Sequence, residues 1–378
     1  MHTIYLDHNS TTPVLPVVAE AIRHSESVAY GNPSSAHGVG RVARRAVDDA
    51  RERIAALLGA HPDEVTFTSG ATEANNLAIL GLLPAQGAAI GSHLEHPCVV
   101  EPLRHLAAHG TRVEWWPVDS RGVIMPAPIS PGVKLVCVML ANHETGALQP
   151  VRKVAETLPA GTALHCDAAQ ALGKITVNFR SLGVTTLTAS AHKFGGPKGV
   201  GILITKRGVK LAPQMFGGHQ QRGRRPGTEP VPLTVGIAVA LEETVANLAA
   251  NRAKLEALRA RFWERLAETA SPIVLNGPEI GAMDVVPTTL NVSFPGCRAD
   301  LLLMALDLAG VACSTGSACS SGSLLPSPVL RAMCVPENVL QSALRFSFCP
   351  GTDFADIDEA TRRIGIATHQ LRESGKME

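Results

Sequence analysis

The sequence has no uninterrupted apolar run of about 18 residues, the length a membrane-crossing helix requires. Its opening, MHTIYLDHNSTTP, shows no basic region followed by an apolar stretch. Both absences predict a cytoplasmic protein that does not enter a membrane. A surplus of charge is missing too: the formal net charge is +1 and neither half is strongly basic, so direct nucleic-acid binding is not expected. The main basic cluster, RGRR at Arg222–Arg225, reads equally as a solvated loop or an anion contact. The eight cysteines form no CxxC pair, which argues against a disulfide framework and a zinc ribbon. No glycine-rich phosphate loop ending in Gly-Lys-Ser or Gly-Lys-Thr occurs, and GVGRVA at Gly38–Ala43 lacks the strand that must precede a dinucleotide fingerprint. His93, His96 and Cys98 suggest no metal site: a strand running through them would point positions 93 and 96 to opposite faces, and no second ligand pair follows.

What the chain does have is length and alternation. Its 378 residues, 45% hydrophobic and 18% charged, suffice for two domains with a substantial core. From about residue 40, helical and strand patterns alternate, the signature of a parallel sheet covered by helices. RVARRAVDDARERIAALLG is an amphipathic helix ending at Gly59, EVTFT a strand, and SGATEANNLAILGLL a turn opening into a helix. Further strands are predicted at AAIGSH, RVEWWPV, KLVCVMLAN, TALHCDAA, TTLTAS and GVGILIT. From Pro232 to about Ala270 apolar residues recur at helical spacing, predicting a long helix, with room for a break, that leaves the first domain. The mixed patterns beyond it predict a smaller α+β domain.

In an open α/β sheet, ligands bind beyond the carboxyl ends of the strands. Polar residues follow the apolar runs there in succession: Gly70 and Thr72, His96, Asn142, Asp167, then Ser190, His192 and Lys193. The turn TSGATEAN offers a phosphate the free N–H groups and dipole of a helix N-terminus. Asp167, after a buried strand, needs a cationic or hydrogen-bonded partner, and a protonated pyridine nitrogen would serve. Lys193 is one of only nine lysines, and a sheltered amine can form an imine with a carbonyl. A phosphate cradle, a carboxylate and such a lysine are what pyridoxal phosphate requires. In ALRFSF the arginine at 345 alternates with Leu344 and Phe346, so it projects away from the apolar face, toward a ligand carboxylate or a structural salt bridge.

These segments, together with YLDHNSTTP, GNPSSAHGVGR, EHPCVVEPL, HCDAAQALGK, SAHKFGGPKGVG, RRPGTEPVP and STGSACSSGS, resemble in order the motifs of cysteine desulfurases of the NifS/IscS type, class V pyridoxal-phosphate enzymes of fold-type I. The resemblance implies an α/β fold with a mainly parallel seven-stranded sheet in a large domain (15–250). A smaller α+β domain (1–14 and 251–378) would carry the cysteine loop and the substrate arginine. It makes Lys193 the Schiff-base lysine and proton shuttle, puts Asp167 on the pyridine nitrogen and Gln170 on the ring hydroxyl, and stacks His96 on the ring. Thr72, Ser190, His192 and the backbone at Ala71 would hold the phosphate, with Thr228 reaching the neighbouring subunit's cofactor in a homodimer. Asn142 and Arg345 would hold the substrate, L-cysteine.

Cys319 sits among five serines and two glycines in STGSACSSGS, a composition that favours a mobile loop. By the resemblance it attacks the substrate sulfur and carries it as a persulfide to a sulfur-acceptor protein, such as an iron–sulfur scaffold or a thiolation enzyme, while the other seven cysteines stay structural. His143, Gln221, Cys334 and the turn FCPGTD depart from the family pattern. Two other readings stay open. A related pyridoxal-phosphate enzyme, such as a selenocysteine lyase or a class V aminotransferase, would not need Cys319; a non-catalytic sulfur-transfer scaffold would not need Lys193 and Asp167, which are both present.

Overall fold

The alternating patterns become one large sheet and two small ones in a computed structural model that describes residues 2–316 and 326–374. After the short β1 (Ile4–Tyr5), the strands β2 (Val65–Thr68), β3 (Ala88–Ser92), β4 (Val113–Trp116), β5 (Val133–Cys137), β6 (Ala163–Asp167), β7 (Thr186–Ser190) and β8 (Gly201–Thr205) form the seven-stranded sheet. Their order is β2-β8-β7-β6-β5-β3-β4. Neighbours pair in parallel except β8, which is antiparallel to both β2 and β7. Strands such as AAIGS and GILIT are buried at every residue because helices cover both faces, which is why they read as continuous apolar runs. The expected fold class is therefore the one observed.

One detail differs from the sequence reading. The third strand stops at Ser92, so His93 and His96 do not share a strand; His96 instead caps the helix Pro97–Ala108 by accepting from the N–H of Cys98. GVGRVA falls within the helix Gly38–Leu58, which ends at Gly59 with φ 65°, a left-handed position suited to glycine. The long helical stretch is broken, as its pattern allowed, into Val231–Ala246 and Leu248–Thr269 with a bend of 72°. Asn247 lies at the bend and donates its side-chain amide to the carbonyl of Glu243, satisfying a helix end. No single helix among the described residues is long and apolar enough to cross a membrane.

The last third of the chain adds β9 (Val274–Asn276), β10 (Thr289–Ser293), β11 (Val311–Ala312) and β12 (Ala343–Ser347). β12, β10 and β9 form an antiparallel sheet, and β11 pairs in parallel with β1. Two apolar clusters result. One surrounds the large sheet and also takes in Leu330, Met333 and Ala343; the other joins Ile4 and Leu6 to Leu255, Phe262, Phe346 and Ile364. The pleat of β12 divides between them, with Ala343 in the first cluster and Leu344 and Phe346 in the second. Arg345 shares the face of Ala343 and reaches Asp7 and the carbonyl of His143.

Candidate active site

β6 ends in Asp167, a carboxylate only 5% exposed, and burial at that level demands partners. Its Oδ1 accepts from the backbone N–H of Ala169 at 2.8 Å and its Oδ2 from Asn75 Nδ2 at 2.8 Å. Asn75 comes from the buried face of the helix Ala71–Leu82. A carboxylate accepts and does not donate, so the amide turns Nδ2 toward it and leaves Oδ1 for His165 Nε2, 2.9 Å away. The proton of His165 is thereby assigned to Nε2, and Nδ1 accepts from Thr186 Oγ1 at 2.9 Å. Burial pushes His165 down to about 4, keeping it neutral and fixing the direction of the whole chain of bonds. Sequence reasoning missed Asn75; the signal was a polar residue on the apolar stripe of its helix.

β7 leads into the turn Ala191–Lys193, and Lys193 Nζ donates to the carbonyls of Asn9 at 2.7 Å and Ser10 at 2.9 Å. Gln170, also buried, donates Nε2 to the same Asn9 carbonyl at 2.9 Å. The N-terminal segment thus forms a wall of the site, another feature that the strand-end argument did not anticipate. Beside it the first amides of the helix Ala71–Leu82, at Ala71 and Thr72, lack intrahelical acceptors. β8 passes close behind that turn: a Cβ on Gly201 would lie 2.7 Å from Gly70 Cα, so only glycine permits the approach. A cavity of about 390 Å³ is lined by Ala71, Thr72, His96, Asp167, Gln170, Ser190, His192 and Lys193. Its donor set suits a planar ligand with a basic nitrogen at Asp167, a phosphate at the helix N-terminus and an electrophilic carbon at Lys193.

A second cavity, about 120 Å³, shares Ser10, His96, His143, Gln170 and Lys193 with the first and adds Arg345 and Gly316. Arg345 is 3% exposed; Nη2 meets Asp7 Oδ1 at 2.8 Å and Ser10 Oγ at 2.9 Å, and Nη1 donates to the carbonyls of His143 and Gly316. The arginine therefore has its salt bridge to Asp7 and also lines a cavity. Among the described residues its Nε is buried without a partner. His96 and His143 meet edge to face at 5.3 Å, and burial lowers both, His143 well below its ordinary value.

Not every expected residue joins this cluster. Asn142 is 1% exposed and lines neither cavity: Nδ2 donates to the carbonyl of Leu94, while Oδ1 accepts from the N–H groups of Glu144 and Thr145. It organises a turn, and the adjacent His143 is the side chain that turn presents. Thr228 is exposed and lines neither cavity of its own chain. Within RGRR, Arg225 pairs with Glu73 at 2.9 Å and Arg224 donates to the Asp63 carbonyl, so these two are internal ties rather than a solvated loop. Cys334 has φ 58°, the left-handed conformation that explains why glycine suits its position. Among the described residues no group of three metal-ligating side chains occurs.

Cys319 lies outside the described residues. The flanking residues are anchored at the smaller cavity: Gly316 through its carbonyl to Arg345, and Ser327 through Oγ to Glu144 Oε2 at 2.6 Å. Burial raises the thiols of Cys137, Cys166, Cys297 and Cys313, which suppresses their nucleophilic thiolate forms.

Comparison with known proteins places these features in a family context. The family model for class V aminotransferases matches residues 4–359. A cysteine desulfurase from Nostoc sp. is 39% identical over 98% of this chain and 94% of that protein. A solved NifS-like protein superposes with a TM-score of 0.89 at 35% identity, covering 96% of this chain and 98% of that one. SspA, solved in complex with cysteine, superposes with a TM-score of 0.81 at 32% identity, covering 92% and 99%.

Proposed function

We propose that this chain, which belongs to the class V aminotransferase family, is a pyridoxal-phosphate-dependent cysteine desulfurase that converts L-cysteine to L-alanine and takes the sulfur onto Cys319. The observation that carries this reading is the convergence of Lys193, Asp167 and Arg345 on two cavities with shared walls, one suited to the cofactor and one to an amino acid. Asp167, fixed by Asn75, would hold the pyridine nitrogen, and Gln170 the ring hydroxyl. Ser190, His192, Thr72 and the amide of Ala71 would hold the phosphate, joined in a homodimer by Thr228 of the partner subunit. When bound, the cofactor supplies an electron sink for the substrate α-carbon.

The protein's own groups do the rest. Arg345, which lines the smaller cavity, would orient the substrate carboxylate, and His96 would cover the cofactor ring. Lys193 would hold the cofactor aldehyde and, as a free amine, would take the substrate α-proton. The Cys319 thiolate attacks the substrate sulfur: an S–S bond forms, the C–S bond breaks with its electron pair going to the substrate β-carbon, that carbon takes up a proton, and alanine leaves with Cys319 as a persulfide. An acceptor protein then removes that sulfur. The same reading treats residues 15–250 as the large unit and 1–14 with 251–378 as the small one; the second apolar cluster follows this division, while the first also takes in Leu330, Met333 and Ala343.

The test is to incubate the holoprotein with L-cysteine and a reductant, and to quantify alanine and sulfide for the native chain and Cys319→Ala. Equal amounts of both products, lost in the variant while the cofactor's absorbance persists, are expected. Undiminished turnover in the variant would instead indicate a lyase of the selenocysteine type. No turnover by either protein, with a dithiol present as acceptor, would favour a scaffold.

A further inference from the structure

Seven residues beyond Asp167, the side chain of Lys174 points inward. It is 8% exposed, and Nζ donates to Gln170 Oε1 at 2.6 Å and Asn9 Oδ1 at 3.0 Å. Both acceptors are neutral amides, and among the described residues no carboxylate pairs with it. An ammonium ion buried this way would bear a large uncompensated desolvation cost. Burial, together with Lys193 and Arg345, pushes the amine well below the ordinary lysine range. An uncharged amine has two N–H bonds, and two acceptors stand opposite them.

Both acceptors belong to the site. Because Gln170 Oε1 is held by a donor, its Nε2 is the end turned to the Asn9 carbonyl and to the cavities that Gln170 lines. That same Asn9 carbonyl receives Lys193 Nζ. We propose that Lys174 is a positioning residue acting as an uncharged amine: through Gln170 and Asn9 it fixes an N–H donor toward the cofactor's ring oxygen and the acceptor that receives Lys193. The proposal rests on the cofactor reading given above. The titratable and charged groups facing Lys174 are His8 after β1, His192 and Lys193 after β7 and Arg345 on β12. His8 is itself pushed down to about 4, chiefly by burial, and adds no counter-charge.

A donor at the ring oxygen stabilises the form with more negative charge there, so it lowers the pH at which the bound cofactor's visible band changes. Lys174→Met keeps the apolar stem and removes the donor. In the holoprotein it should move the midpoint of that spectral titration up by about one pH unit, the scale of one lost hydrogen bond. Gln170→Leu should do the same, and the double variant should move no further than Gln170→Leu alone. An unmoved midpoint in Lys174→Met, or additive shifts in the double variant, would overturn the proposal. A second measurement uses the native chain: among nine lysines, the ε-methylene NMR resonance of Lys174 should keep a free-amine shift at neutral pH. An ammonium shift there would overturn the proposal even if Lys174→Met does not fold. A native protein that binds no cofactor would strike at the functional reading instead, while the resonance still decides the charge of Lys174.

Discussion

Replacing Asn75 with leucine keeps the branched shape of the side chain and removes the amide that joins Asp167 to His165. Two buried groups lose partners together: Asp167 Oδ2, which accepts from Asn75 at 2.8 Å, and His165 Nε2–H, which donates to it at 2.9 Å. A hydrogen bond to a charged group contributes about 1.5–3 kcal/mol and a buried donor left unmade costs about 1–3 kcal/mol, so Asn75→Leu should destabilise the apoprotein by about 3–5 kcal/mol. Urea unfolding of the native and variant apoproteins measures this directly. Asn75→Asp separates the network from simple packing, because it sets a second carboxylate beside Asp167. Its destabilisation should exceed that of Asn75→Leu at neutral pH and shrink as the pH falls, when one of the two carboxyls takes a proton. A loss below about 1 kcal/mol in Asn75→Leu, less than a single charged hydrogen bond contributes, would refute the reasoning. So would an Asn75→Asp penalty that does not vary with pH.

Arg345→Lys replaces a planar fork by a single ammonium centre that cannot span Asp7, Ser10 and two carbonyls at once. The KM for L-cysteine should rise about 10- to 100-fold, equivalent to one charge-assisted hydrogen bond, with cofactor absorbance retained; steady-state kinetics with an unchanged KM would contradict the assigned role. Burial pushes Glu95 up to about 8 and Glu144 up to about 7. Both keep a proton in the folded state where the unfolded chain has lost it, so their cost is absent below the ordinary carboxyl pKa and grows as pH rises toward 7–8. Glu95→Gln and Glu144→Gln should therefore flatten the fall in urea midpoint between pH 5 and pH 8, and slopes parallel to the native one would count against this.

Much of the fold was legible because buried parallel strands are continuous apolar runs. The polar residues that end or interrupt those runs, Asp167, Lys193 and Arg345, stand out for the same reason. Where neighbouring residues share a chemistry, the pattern failed to choose. Asn75 and Asn76 are adjacent amides: one braces Asp167, and the other bonds the carbonyl of Thr72 in its own helix. Asn142 looked like a substrate contact because it follows an apolar run, but the turn Asn142–Thr145 engages its side chain, while His143 lines both cavities.

The sequence by itself determined the strands and helices, the sheet edge where a site must lie, and the residue types assembled there, since periodicity and chain breaks are local properties. Only the tertiary structure decided that Asn9, 184 positions away, receives Lys193, that Lys174 faces inward with no carboxylate paired to it among the described residues, and that Arg345 meets Asp7 and Ser10 at the smaller cavity. Those contacts depend on how two apolar cores seat the N-terminal segment and β12 against the large sheet. A hydrogen bond across such a junction is set by packing at ångström scale, which no local pattern encodes.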